Sequence, residues 1–433
     1  MAEKPQAEKP QAEKPQAEKP QAEKPQDLIK QRHVEATLAK DKGPDARLLS
    51  WAVKDFTQKG DNMATCVTSV EVTYSLEAKD RHVSYVVKLN PQRKVEAMGD
   101  MISDILEKEI NFYTDILPDL NSALERAGLS RLSVPTFHFG ERNVGSEVIF
   151  FEDLRARGFK MADRKLGLDA AHVYLVLKEL ARLHAASDIL KRRYGDPTDR
   201  HPLLKKDWIT GTGEEREFMQ KMMISNMDGA VKLLRNIKGY DNILQWTIRN
   251  QQKNMDLFQS QLAAKPPFQV ICHGDCWNNN FMFRYDDSGA PLEVMLLDLQ
   301  VTRFASLATD LNYFCFSSVN GSLISSSVQD FLAAYHTSFS QVTEAAGHRV
   351  PFSLEELKQE FRDKHIFGLL IGLMAIPFIV MNSDDVPEAD DFFSIEGNEE
   401  FKQKILDSLD SNPLLRPRFL SVLDYMTEAG VID

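Results

Sequence analysis

Residues 268–310, FQVICHGDCWNNNFMFRYDDSGAPLEVMLLDLQVTRFASLATD, constrain this chain more than any other stretch. The spacing predicts a strand over 268–272, then a tight polar loop holding His273, Gly274, Asp275, Asn278, Asn279 and Asn280. A hairpin follows, with strands over 281–285 and 292–297 joined through Asp286-Asp287-Ser288-Gly289, a strong turn signal. The second strand runs out into Asp298-Leu299-Gln300. Polar groups therefore leave an apolar framework at two neighbouring strand ends, which is a rigid way to hold a site. An Asp in such a loop can accept a proton from an attacking hydroxyl. An Asn five residues on and an Asp across the hairpin supply hard oxygen ligands of the kind Mg2+ prefers beside phosphates. Taken singly, each of these side chains suits a turn cap; the ordered set asks for more.

The pattern H-G-D-x-x-x-x-N followed by D-x-Q resembles the aminoglycoside and choline phosphotransferases, the small-molecule branch of the protein-kinase fold, which orders Asp, Asn and Asp in this way for phosphoryl transfer. With Trp277 and the Asp298-Leu299-Gln300 ending it is most similar to the ecdysteroid-kinase-like family. The resemblance implies that Asp275 orients and deprotonates an acceptor hydroxyl. It implies too that Asn280 and Asp298 hold Mg2+ on the β- and γ-phosphates of ATP.

Upstream, residues 2–26 are five copies of Ala-Glu-Lys-Pro-Gln, with one acid, one base, one proline and nothing large and apolar in each. Such a segment cannot bury enough surface to offset its ordering entropy, so residues 1–26 are expected to form a disordered tail. Leu48, Leu49, Trp51, Val53 and Phe56 open the folded part. Residues 67–76 and 82–89 alternate as strands, and Lys88 falls near the end of the second. Just before the first of these strands, Gly60-Asp61-Asn62-Met63-Ala64-Thr65 resembles the family's phosphate-covering loop, usually G-E-N-[YF]-A-S, with departures at Asp61, Met63 and Thr65. That makes Asn62 a nucleotide-contacting candidate.

After Pro91, Ile102, Ile105, Leu106, Glu109, Phe112, Tyr113 and Ile116 share one helical stripe, with Glu107 and Lys108 expected to point away. A carboxylate inside an apolar stripe is costly without a partner, and Lys88 is the natural one. In kinases such a lysine contacts the α/β-phosphates and is held by a helix glutamate. Residues 134–140 and 148–151 continue as strands into Glu152-Asp153-Leu154. These residues resemble the hinge between kinase lobes, whose backbone would meet the adenine edge. Residues 168–187 form an amphipathic helix capped by Asp169, with His184 on its buried face, expected as a hydrogen-bonded core histidine beneath the Asp275 loop. Asp310-Leu311-Asn312-Tyr313-Phe314 resembles the family's D-L-x-Y-x, which implies that Asp310 caps the helix that follows and braces the catalytic loop. Residues 188–267 are helical in pattern and rich in Met, Lys and Gln, beside an acceptor pocket whose contacts the pattern does not name.

Together these point to an α+β, two-lobed protein-kinase-like fold: a small lobe with an antiparallel sheet and one main helix, and a larger, mainly helical C-terminal lobe. Residues 27–154 would bind nucleotide, and 155–433 would carry the catalytic loop, metal site and acceptor pocket. The activity that the resemblance implies moves the γ-phosphoryl group of ATP, with Mg2+, to a hydroxyl of a small molecule: an ecdysteroid or another steroid or xenobiotic alcohol. The competing reading is a pseudokinase-like module that binds nucleotide without turnover. A net charge of −12 leaves no basic excess for nucleic acid. Four scattered cysteines make neither a disulfide framework nor a paired zinc site. The most apolar run, residues 366–381, is shorter than a ~20-residue membrane span and contains Pro377, so it is expected as a buried core helix. No signal peptide is visible, which makes the cytoplasm the expected location, with no obligate protein partner inferred.

Overall fold

A computed structural model describes residues 24–56, 65–91, 93, 96–206, 213–387 and 395–432. The repeats up to residue 23 and the segment 57–64, with Asn62, lie outside the described residues.

The N-terminal lobe is built on an antiparallel sheet in the order β1-β2-β3-β5-β4, from β1 (Arg47–Asp55), β2 (Cys66–Leu76), β3 (Lys79–Leu89), β4 (Phe137–Glu141) and β5 (Val148–Glu152). Both faces are covered, and the two-residue period of a strand sorts the side chains between them. Tyr85, Val87 and Leu89 of the central strand β3 join Val70, Val72 and Phe150 in an outer core. Lys88 points the other way, toward helix α2 (Glu96–Asn111). The outer core is closed by helix α1 (Gln31–Lys42), which the sequence pattern did not announce. Its buried side is only His33, Val34, Thr37 and Leu38, too thin a stripe to stand out.

Helix α2 runs into a π turn, Phe112–Ile116, and then α3 (Leu117–Arg126). The apolar stripe expected on α2 is buried, and so is Lys108, contrary to expectation. Its ammonium reaches the Lys206 carbonyl of the C-terminal lobe at 2.7 Å, a buried position made tolerable by that bond.

The larger lobe is mainly helical. Helix α4 (Ala170–Tyr194), capped by Asp169 as expected, extends a further two turns beyond residue 187 and packs along α10 (Gly321–Ala345). Between them in sequence lie α5 (Pro197–Arg200), α6 (Glu214–Arg235), α7 (Asp241–Asn250), α8 (Asn254–Leu262) and α9 (Leu307–Ser318). The C-terminal part adds α11 (Leu354–Asp363), α12 (His365–Ile379), α13 (Ile395–Asp407) and α14 (Leu415–Glu428). Helix α12 is apolar all round because it is packed among α6, α8, α9 and α14, with Pro377 near its end. No helix among the described residues is long and apolar enough to cross a membrane.

Two small antiparallel sheets sit against this lobe. Strand β7 (Gln269–Cys272) pairs with β10 (Arg303–Ser306), and β8 (Phe281–Tyr285) lies between β6 (Lys160–Met161) and β9 (Pro291–Leu296). The hairpin turn is held by Asp286, whose carboxylate accepts from the Ser288 and Ala290 amides. The protein is thus the expected α+β, two-lobed kinase-like fold.

Candidate active site

The polar groups singled out in the sequence converge where the two lobes meet. Lys88 on β3 donates to both carboxylate oxygens of Glu109 at 2.8 Å, and its ammonium also lies 2.6 Å from Asp298 Oδ1. One cation therefore stands between two carboxylates from different parts of the chain. Burial works against charge on Lys88, but Asp298 and Glu109 outweigh it and hold its pKa above the usual value. Burial also raises Glu109, against the pull of Lys88 and with Asp298 adding to the rise. With both carboxylates ionised the cluster carries one negative charge in excess, a setting suited to a further cation.

Asp298, two residues past the end of β9, adopts a left-handed conformation, φ 58° and ψ 53°. That is uncommon for a residue with a side chain, although Asp is among those that adopt it more readily, and such strain clusters at functional positions. The bend redirects the chain beyond β9, and the Asp298 carboxylate there meets Lys88.

On the large-lobe side, the loop after β7 presents Asp275. Its Oδ1 accepts from the Tyr313 hydroxyl at 2.8 Å, and its Oδ2 accepts from the Asn280 amide at 2.8 Å. Burial raises the Asp275 pKa, while His273 and the bonds from Tyr313 and Asn280 work against the rise. Asn280 also donates to the Asp275 carbonyl at 2.9 Å. Its amide nitrogen thus faces Asp275, which leaves the amide oxygen as the ligand-type atom.

The loop is braced from beneath. Asp310 accepts the His273 and Gly274 amides at 2.6 and 2.9 Å. His184 on α4 lies 3.1 Å from Asp310 Oδ2 and 2.8 Å from the Tyr335 hydroxyl, so it is a hydrogen-bonded core histidine under the Asp275 loop, as expected. Burial disfavours charge on Asp310, but His184 and the loop amides more than compensate and depress its pKa. Asp310 is not the helix cap: α9 starts four residues earlier in the chain than expected, with Ser306 accepting from the Ala308 amide. Gly274 has φ +86°, and a Cβ there would collide with the Val301 carbonyl oxygen. Only glycine lets the loop lie against the segment after Asp298.

Two cavities open onto these groups. The first, of about 450 Å3, is lined by Lys88, Glu109, Asp298 and the Glu152-Asp153-Leu154 run. At that run the side chains are tied down locally. Glu152 accepts from the Thr136 amide and pairs with Arg157, and Asp153 binds Arg155. The second cavity, of about 380 Å3, has Asp275 and Tyr313 in its wall and is otherwise largely apolar, with Met219, Met222, Met223 and Met374 prominent.

The structure thus brings together Lys88, Glu109, Glu152, Asp153, Leu154, Asp275, Asn280 and Asp298; Asn62 lies outside the described residues. The sequence pattern gives Tyr313 no role, although it stands one helical turn from Asp310 and so shares its face. The methionines of α6 repeat at i, i+3 and i+4, a visible stripe that sequence alone assigns equally well to core. Phe258 on α8 lines the second cavity.

An antiparallel sheet with its lysine–glutamate pair, over a helical lobe that presents Asp, Asn and Asp at the interface, defines a kinase-like phosphotransferase fold. A family model described as the ecdysteroid kinase-like family matches residues 59–348, well over half the chain, and the chain belongs to that family. No curated protein matches it. Among solved structures, a point mutant of aminoglycoside 2'-phosphotransferase-IIIa in complex with GDP aligns at 10% identity with a TM-score of 0.38, covering 88% of this chain and 100% of that one.

Proposed function

We propose that this protein transfers the γ-phosphoryl group of ATP to a hydroxyl of an apolar small molecule, an ecdysteroid or another steroid or xenobiotic alcohol. The observation that carries the reading is the adjacency of two unlike cavities, one charged and bounded by Lys88 and Asp298, the other apolar and ending at Asp275. In this reading residues 27–154 contribute most of the nucleotide site and residues 155–433 the catalytic loop and acceptor pocket.

Each side chain then has a task. Lys88, held by Glu109, positions the nucleotide phosphates, and the backbone around Glu152, Asp153 and Leu154 meets the base. The amide oxygen of Asn280 and the carboxylate of Asp298 form a hard-oxygen donor set, and the excess negative charge beside Lys88 fits Mg2+. Magnesium there would neutralise charge developing on the transferred group. Asp275 accepts the proton of the acceptor hydroxyl as its oxygen attacks. Tyr313 and Asn280 fix the carboxylate so that one orientation faces the apolar cavity. Little covalent chemistry is asked of the chain, so positioning and charge complementarity supply most of the acceleration.

The test is a mass-spectrometric screen of the purified protein with Mg-ATP against hydroxylated steroids and plant-type alcohols, read as products heavier by one phosphoryl group. A product that disappears in Asp275→Asn supports the assignment. Nucleotide binding with no product across the panel would favour a binding module instead. Asp298→Ala should remove the magnesium dependence of nucleotide binding; unchanged dependence would sink the metal assignment.

A further inference from the structure

Helix α2 belongs to the N-terminal lobe, yet its face is shared between the two cavities. Met101 and Ile105 line the apolar cavity that ends at Asp275. Glu109 and, in the π turn beyond, Tyr113 line the charged cavity. The four residues follow one another at intervals of four, so they form a single stripe along one face. The helix also packs against the turn Leu299–Val301, which leaves Asp298, and against α6, which carries the methionines of the apolar cavity. Its Lys108 is anchored to the Lys206 carbonyl across the interface. A helix is stiff along its axis. Material seated against Met101 and Ile105 and a nucleotide gripped by Lys88 and Glu109 therefore bear on the same rigid element.

We propose that Met101 and Ile105 are acceptor-contacting residues and that helix α2 couples the two sites. An apolar alcohol in its cavity and a nucleotide in the other each favour the same placement of α2, so each strengthens the binding of the other. Reciprocity is required by linkage: whatever the acceptor does to nucleotide affinity, the nucleotide does to the acceptor. The proposal rests on the reading above, that the two cavities take nucleotide and acceptor. It adds that the small lobe helps select the acceptor through two apolar side chains.

The test needs no known acceptor. In the full-length chain carrying Cys66→Ser, which leaves the three buried cysteines, Met101→Cys puts a thiol on the α2 wall and Met374→Cys one on the α12 wall. Ile105→Cys, one turn along from the first, is a second reporter should Met101→Cys fold poorly. Alkylation by N-ethylmaleimide is followed by intact mass with and without saturating Mg-AMP-PNP. The nucleotide should slow labelling on α2 by about fivefold or more, the low end of ordinary coupling between sites, and leave Met374→Cys within about twofold. Equal slowing on both walls would mean that the nucleotide merely blocks the cavity, which overturns the proposal. Unchanged labelling on α2 with nucleotide demonstrably bound overturns it as well. If titration shows that AMP-PNP does not bind at all, the nucleotide-dependent function itself fails, and the coupling falls with it.

Discussion

At the scale of single residues, the proposed chemistry turns on what surrounds Asp275. Asp275→Asn keeps the shape and removes the base, so turnover should fall by ~10²- to 10⁴-fold, with nucleotide affinity by titration nearly unchanged. Loss of nucleotide binding in a folded variant would count against the assigned role. The pH dependence has a definite sign. Burial raises the Asp275 pKa, and a base must be deprotonated to act, so kcat/KM should fall as pH drops through a value above the ~3.9 of an ordinary Asp. Tyr313 donates to the carboxylate and so favours its charged form. Tyr313→Phe should therefore move the acid limb of the kcat/KM profile to higher pH, and a limb that stays put would show that Tyr313 does not act on Asp275. The Lys88–Glu109 pair was legible in sequence because a lone carboxylate inside an apolar stripe demands a cation, and a strand lysine lay nearby. The contact of Lys88 with Asp298 was not, because it depends on how the lobes close and on a left-handed backbone at Asp298.

At the scale of elements, the loop bearing Asp275 is held by a junction of α4, α9 and β7 centred on Asp310. Asp310→Ala would leave one buried amide, one half-buried amide and His184 without their partner, at a cost of about 3–5 kcal/mol. Urea unfolding at neutral pH reads this directly, and a change within error would show that water or a neighbour replaces the carboxylate. Because the folded pKa of Asp310 is depressed, its contribution is fully present above the ordinary Asp value and is lost as pH falls through the depressed one. Strands and helices were mostly visible in the sequence to within a few residues, since alternation and helical stripes are local signals. Helix α1 escaped because its buried side is thin, and the start of α9 was misplaced because Ser306 rather than Asp310 supplies the cap. Lys108 reads as a surface residue in the local pattern because its partner, the Lys206 carbonyl, lies in another part of the chain.

At the scale of the whole molecule, composition sets the repeats at residues 2–26 apart from the rest of the chain. Removing residues 1–23 should leave turnover and thermal midpoint unchanged, measured on the truncated and full chains side by side, and a marked loss of turnover would make the tail part of the enzyme. The sequence by itself determined the fold class and the identity of most candidate site residues. Those depend on local patterning and on an ordered motif in which polar residues sit at strand ends. Only the tertiary structure decided that Asp298 joins Lys88 and Glu109, that Tyr313 holds Asp275, and that α2 borders both cavities. The physical reason is the same in each case. A cavity is the space between elements distant in sequence, and its lining is settled by packing, for which apolar residues carry no local mark that separates wall from core.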